Sequence, residues 1–215
     1  MEVKSVDKQN ELYPKNLAAF SSAPQNIYYM GDISILNNPS IAVIGKRDVS
    51  EKELRVSRDV GQYLASKGYV VVNGLALGCD SAAIEGSLSA NGKVVAVLPC
   101  GLDDIHPAQN KNLALRIVEN GGCLISEYPN GTKPEKYRYI ERDNIQSMIS
   151  DATCVIATEK NGGTMHTVRY SIKNGKNIVC FWDKVDKNRE GNTWLIDSKI
   201  SKPFSTQLEL LNAIY

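Results

Sequence analysis

The chain has 215 residues, of which 42% are apolar and 23% charged, and its formal charge is +1. That balance fits a folded chain of one or two domains, and it excludes a molecule that draws in nucleic acid or membrane by its overall field, so a polyanion would have to meet a local patch. No apolar run approaches the roughly 18 residues of a membrane span, and the N-terminus MEVKSVDKQNELYP lacks a signal-peptide core, so the expected location is the cytoplasm with no membrane partner.

In chain order, residues 1–40 read as an N-terminal lead-in segment packing on the core, and residues 41–215 as one Rossmann-like domain. The unbroken apolar run IAVIG (41–45) predicts a strand buried on both faces. A helix follows over 50–68, started by Ser50 and Glu53 as a capping box and stopped at Gly68. Strands are predicted at 69–74, 93–98, 123–128, 153–158 and 177–182. Helices are predicted at 80–92, 110–122 and 164–176, with a helix end at 144–152. Alternation with short connections implies an α/β fold: an extended Rossmann-like, mostly parallel, doubly wound sheet with helices on both faces.

Cys79, Cys100, Cys123, Cys154 and Cys180 are odd in number, widely spaced and without a Cys-x-x-Cys pair, so core packing is expected rather than a disulfide or metal. His106 and His166 add no metal-ligand spacing, and His166 is expected on a helix surface. No cofactor is implied: GKR after the first strand is neither a dinucleotide fingerprint nor a P-loop.

Strand ends at Gly45, at NGLALGCD (73–80) and at EKNGGT (159–164) each turn through glycine toward a helix N-terminus. Ligands of doubly wound sheets sit beyond the carboxyl ends of the strands, where free amides and the helix dipole favour an anion. Gly45 would let the ligand approach the backbone, and the adjacent Lys46 and Arg47 are cations suited to phosphate. The alternative is that this pair opens a solvated helix approach and pairs with Asp48 or Glu51.

Taken in order, IAVIGKR, VVVNGLALGCDSAAIEGSL, KVVAVLPCGLDDIHPAQNKNL, GGCLISEYPNGTKP and GGTMHT resemble the DNA-processing protein A family (DprA, also called Smf). The resemblance extends over roughly residues 12–215, from LYPKNLAAFSSAPQNIYYMGD (12–32) to GNTWLIDSKI (191–200) and on to the last residue. It implies a single-stranded DNA-binding protein, not an enzyme, that acts in natural transformation, helps load a RecA-type recombinase and forms a homodimer. It also implies a DNA-phosphate site. The family's G-x-R arginine maps onto Arg47. Its glycine-aspartate turn maps onto Gly74, Gly78 and Asp80, and its serine-glutamate pair onto Ser126 and Glu127. A further arginine maps onto Arg142, and the glycine-hydroxyl turn onto Gly163, Thr164 and Thr167.

There are departures. Leu77 stands where the family has an arginine, Ile84 where it has a histidine, and Arg142-Asp143-Asn144 where it reads R-N-R; together these make the pocket less cationic. A winged-helix-like C-terminal domain and an N-terminal helical domain are not expected in this chain. Tyr128, Tyr137 and Tyr139 alternate with Lys133, Lys136, Arg138 and Arg142, which suits stacking on bases between phosphates or, alternatively, a solvated loop. Two other readings stay open: a sensor for a small nucleotide-derived ligand, and a phosphoribohydrolase. The glycines of NGGTMHTV echo the phosphoribohydrolase motif, whose carboxylate is absent here.

Overall fold

The computed structural model describes residues 2–183 and 190–215. Nine strands form one sheet. They are β1 (Lys4–Asp7), β2 (Asn26–Gly31), β3 (Ser40–Ile44), β4 (Val70–Asn73), β5 (Val94–Val97), β6 (Cys123–Ser126), β7 (Ala152–Val155), β8 (Asn177–Phe181) and β9 (Lys202–Phe204). The helices are α1 (Lys15–Ala18), α2 (Glu51–Ser66), α3 (Cys79–Ser89), α4 (Lys111–Glu119), α5 (Lys136–Ile149), α6 (Thr164–Lys173), α7 (Glu190–Asp197) and α8 (Gln207–Ile214).

The spatial order is β1-β2-β6-β5-β4-β3-β7-β8-β9. Pairing is parallel from β6 through β9, and antiparallel only where β2 meets β1 and β6. From β3 the chain winds outward through β4, β5 and β6, then returns to the other side of β3 to lay down β7. The order therefore reverses between β3 and β7, and a crevice opens there beyond the strand ends. The first forty residues, expected as a lead-in, contribute two strands to this same sheet.

Alternation along each strand builds the two layers. Ile41 and Val43 face one side with Val71, Val94 and Leu124, under Val60 and Leu64 of α2, Ile84 of α3, Ile117 of α4 and Leu210 of α8. Ala42 and Ile44 face the other, under Met165 and Val168 of α6 and Leu195 of α7. Farther along that second face, Val72, Val97 and Ile125 lie under Leu17 of α1 and Ile145 and Met148 of α5. Each such aliphatic chain stabilises the fold by about 1.5–3 kcal/mol relative to exposure. All five cysteines are buried in these layers.

Ser50 and Glu53 close the capping box of α2, and Gly68 ends it at φ +81°. Helix α5 departs from expectation. It begins at Lys136, well before the helix end read at 144–152. Its opening turns, KYRYIE, are polar and follow Pro134, so they carry no apolar stripe; burial begins at Arg142. Lys136, Tyr137, Arg138, Tyr139 and Arg142 of the cationic tyrosine-rich stretch thus lie on helix rather than loop. Among the described residues no helix is long and apolar enough to cross a membrane.

Candidate functional site

A cleft of about 640 Å³ opens at the reversal point. Its floor is the end of β3 with Gly45, Lys46 and Arg47. One wall is the polar face of α5 and the other is the β7–α6 turn with the start of α6. Lys136, Tyr139, Ile140, Asp143 and Gln146 reach it from α5 because residues three and four apart share a helix face. Gly162, Gly163, Thr164, His166 and Thr167 supply the opposite wall.

The cations are held differently. Lys46 Nζ lies 2.6 Å from Glu159 Oε1, and this bond raises the lysine's pKa. Its partner is thus Glu159, across the cleft, rather than Asp48 or Glu51. Arg47 is exposed, and its guanidinium lies 5.5 Å from the centre of the Tyr139 ring. Arg142 sits 5.8 Å from the same ring but is buried, and its Nη1 donates to the Val97 carbonyl at 3.0 Å. Its Nε stands 3.0 Å from Asp143 Oδ1 without the alignment of a hydrogen bond. Arg142 therefore braces α5 against β5 and offers the cleft only part of its charge.

The carboxylates are engaged as well. Asp80 Oδ2 accepts from the amides of Gly74 at 2.9 Å and Ala76 at 3.2 Å. Burial pushes its pKa up to about 6, although Arg142 and those two amides pull the other way. Asp143 Oδ1 accepts from Gln146 Nε2 at 2.9 Å; burial raises its pKa, with Arg142 and His166 opposing.

Of the residues mapped from sequence, Gly45, Lys46, Arg47, Asp80, Arg142, Gly163, Thr164 and Thr167 line this cleft. Gly74, Gly78, Ser126 and Glu127 do not. Gly74 leaves room for the Arg142 guanidinium, which a Cβ would strike. Gly78, at φ +77°, lies against the Lys46 and Arg47 carbonyls, and the Cys79 amide donates to Lys46 at 3.1 Å. Both glycines shape the site from beneath. Gly45 is packed on its Cβ side by Cys79, and the Lys46 amide donates to Ala157 at 2.9 Å. Ser126 is buried and accepts from the Tyr128 amide at 3.0 Å. Burial, and then Glu141, raise the pKa of Glu127.

Glu159, Gln146 and His166 are cleft residues that the mapping missed, and His166 lies on the surface of α6 that lines the cleft. The spacing 136, 139, 140, 143, 146 carries a helical signal that finds Gln146; no comparable signal marks Glu159.

The sequence matches the family model of DNA recombination-mediator protein A over residues 4–214. It is 31% identical to protein Smf of Escherichia coli (strain K12), over 89% of this chain and 51% of that protein. It is 30% identical to DNA processing protein DprA of Streptococcus pneumoniae, over 80% of this chain and 60% of that one. The chain spans about half the length of the curated relatives it matches. Among solved structures, DprA from Streptococcus pneumoniae superposes with a TM-score of 0.89 at 25% identity, covering 100% of this chain and 75% of that chain. DprA from Helicobacter pylori, described for its single-stranded DNA binding mode, superposes at 0.88 with 24% identity over 98% of this chain and 94% of its own. Molybdenum cofactor carrier protein of Chlamydomonas reinhardtii shares the fold alone, at a TM-score of 0.56 and 20% identity over 82% of this chain and 97% of that chain. A family-model match that runs from β1 to α8, together with 31% identity to a curated relative over 89% of this chain, places the chain in the DNA recombination-mediator protein A family.

Proposed function

We propose that the cleft binds single-stranded DNA, with Arg47 and Lys136 on phosphates and Tyr139 against a base. The observation that carries this reading is the exposed Arg47 guanidinium beside the Tyr139 ring, at the carboxyl end of β3. An arginine fork holds two phosphate oxygens, and a tyrosine face stacks on any base that is not already paired and stacked in a duplex. Binding is therefore independent of base identity and weaker for duplex. Lys46, Gly163 and Thr164 complete the phosphate surroundings, and Thr167 lines the wall behind them. Gly74, Gly78, Asp80 and Arg142 support it.

The reading is of a binding protein. The cleft carboxylates serve structural contacts, Asp80 on the Gly74 and Ala76 amides, Asp143 on Gln146 and Glu159 on Lys46. Family membership extends the proposal to a role in DNA uptake and transformation in the cytoplasm, with a RecA-type recombinase as partner and a homodimer as the working form. The second reading is a mononucleotide site. It is favoured by a volume of about 640 Å³, of the size that encloses one small ligand.

Anisotropy titrations separate them. A labelled dT oligomer should bind in the micromolar range or tighter at low salt, a duplex of equal length more weakly, and a mononucleotide should not displace the oligomer at equal concentration. Displacement by the mononucleotide with no preference for the strand would favour the second reading.

A further inference from the structure

The cations around the cleft divide into committed and available ones. Arg142 is committed to the Val97 carbonyl and lies against Asp143. Lys46 is committed to Glu159. Arg47 and Lys136 have no carboxylate partner among the described residues. We infer that Glu159 is a specificity-determining residue of this cleft: it occupies Lys46 as an internal stand-in for a ligand phosphate, so that a ligand meets two available cations and must take the third from Glu159. The inference rests on the proposed phosphate-binding role.

The geometry permits the exchange. The Glu159 side chain is 65% exposed and that of Lys46 33%, so the carboxylate can swing into water while the ammonium stays at the cleft. An exposed pair of this kind stabilises little and is readily opened. A lone small anion gains nothing at Lys46 that Glu159 does not already supply. A phosphate in a strand already held by Arg47 and Lys136 reaches Lys46 at high effective concentration and displaces the glutamate. Glu159 thus selects for linked phosphates over isolated anions.

The salt dependence carries the signature. Each single-strand phosphate contact contributes about 0.7 to the log–log slope through counterion release. At Lys46 that release is offset, because the freed Glu159 gathers a cation in return. The parent slope from these residues should therefore be about 1.4, set by Arg47 and Lys136, and should rise to about 2.1 when Glu159 is neutralised.

The test is a salt-series anisotropy titration of a labelled dT oligomer with the parent, E159Q, K46Q and the double variant. E159Q should bind about two- to fivefold tighter at low salt with the steeper slope. K46Q should bind more weakly than E159Q, and in the K46Q background the Glu159 substitution should tighten binding no further. If E159Q binds as the parent does, or tightens binding equally without Lys46, the inference is overturned while the phosphate reading stands. No binding by any of the four at low salt overturns both.

Discussion

The β4–α3 turn and the β7–α6 turn both follow a buried parallel strand, and both pass through glycines into a helix, yet they serve different ends. The first is wired inward. Asn73 accepts from the Leu75 amide at 3.1 Å and donates to the Asp80 carbonyl at 3.0 Å, and Asp80 holds the amides of Gly74 and Ala76. Its glycines make space for Arg142 and for the Lys46–Arg47 backbone. The second turn is open. A Cβ at Gly163 would meet nothing within 4 Å, and the turn faces the cleft. Two similar glycine patterns at one sheet edge thus divide into a foundation and a surface, and the atoms surrounding each glycine decide which is which.

The largest effect should come from filling the foundation. Gly78→Ala places a Cβ on two carbonyl oxygens at a left-handed φ, and should cost about 3–4 kcal/mol in urea unfolding. It should weaken DNA binding too, because the Lys46–Arg47 turn must move. A loss below about 1 kcal/mol would mean that the two turns do not pack as described.

Asp80 comes next, through pH. Its carboxyl is raised from 3.8 to about 6 by burial. A raised acid contributes stability that is fully present below the unfolded value and lost as pH rises through the folded one. Ionising Asp80 between about pH 4 and pH 7 should thus cost the parent on the order of 2–3 kcal/mol. Asp80→Asn keeps an acceptor oxygen for the amides but does not titrate. Its stability relative to the parent should therefore rise by that amount across the same window, as read from urea midpoints at each pH. A difference that is flat with pH would contradict the burial of the charge.

The smallest effect is at the open turn. Gly163 already has helical backbone angles, φ −58° and ψ −35°. Gly163→Ala should raise stability by about 0.4–1 kcal/mol through the unfolded chain, while its new methyl group narrows the cleft and weakens oligomer binding. Thermal melts and the titration together check both signs.

Much of this was legible in the sequence because the parallel strands are buried on both faces. IAVIG, YVVVNG and KVVAVL announce themselves as apolar runs, and the capping box at Ser50 marks its helix. The edges were not legible. Strands β1, β2 and β9 are short or only half-buried, so their pairing depends on distant partners, and α5 hides its start behind polar residues. At the cleft, Lys46, Arg47 and Gly163 could be found by their position after strands. The inward role of Gly74 and Gly78 could not, since a glycine that admits a ligand and one that admits an arginine read alike. Glu159 was missed because its meaning lies in Lys46, more than a hundred residues earlier.

The central claim is that Arg47 holds a DNA phosphate at the end of β3, and a salt-series anisotropy titration of a dT oligomer with the parent, Arg47→Ala and Lys52→Ala tests it most directly. Lys52 sits in the first turn of α2, outside the cleft, paired with Asp183. Arg47→Ala should fold as the parent does, bind about ten- to a hundredfold more weakly, and lose about 0.7 from the log–log salt slope. Lys52→Ala should match the parent in both. If Arg47→Ala binds single-stranded DNA as tightly as the parent, with the same slope, the phosphate lies elsewhere and the account is wrong.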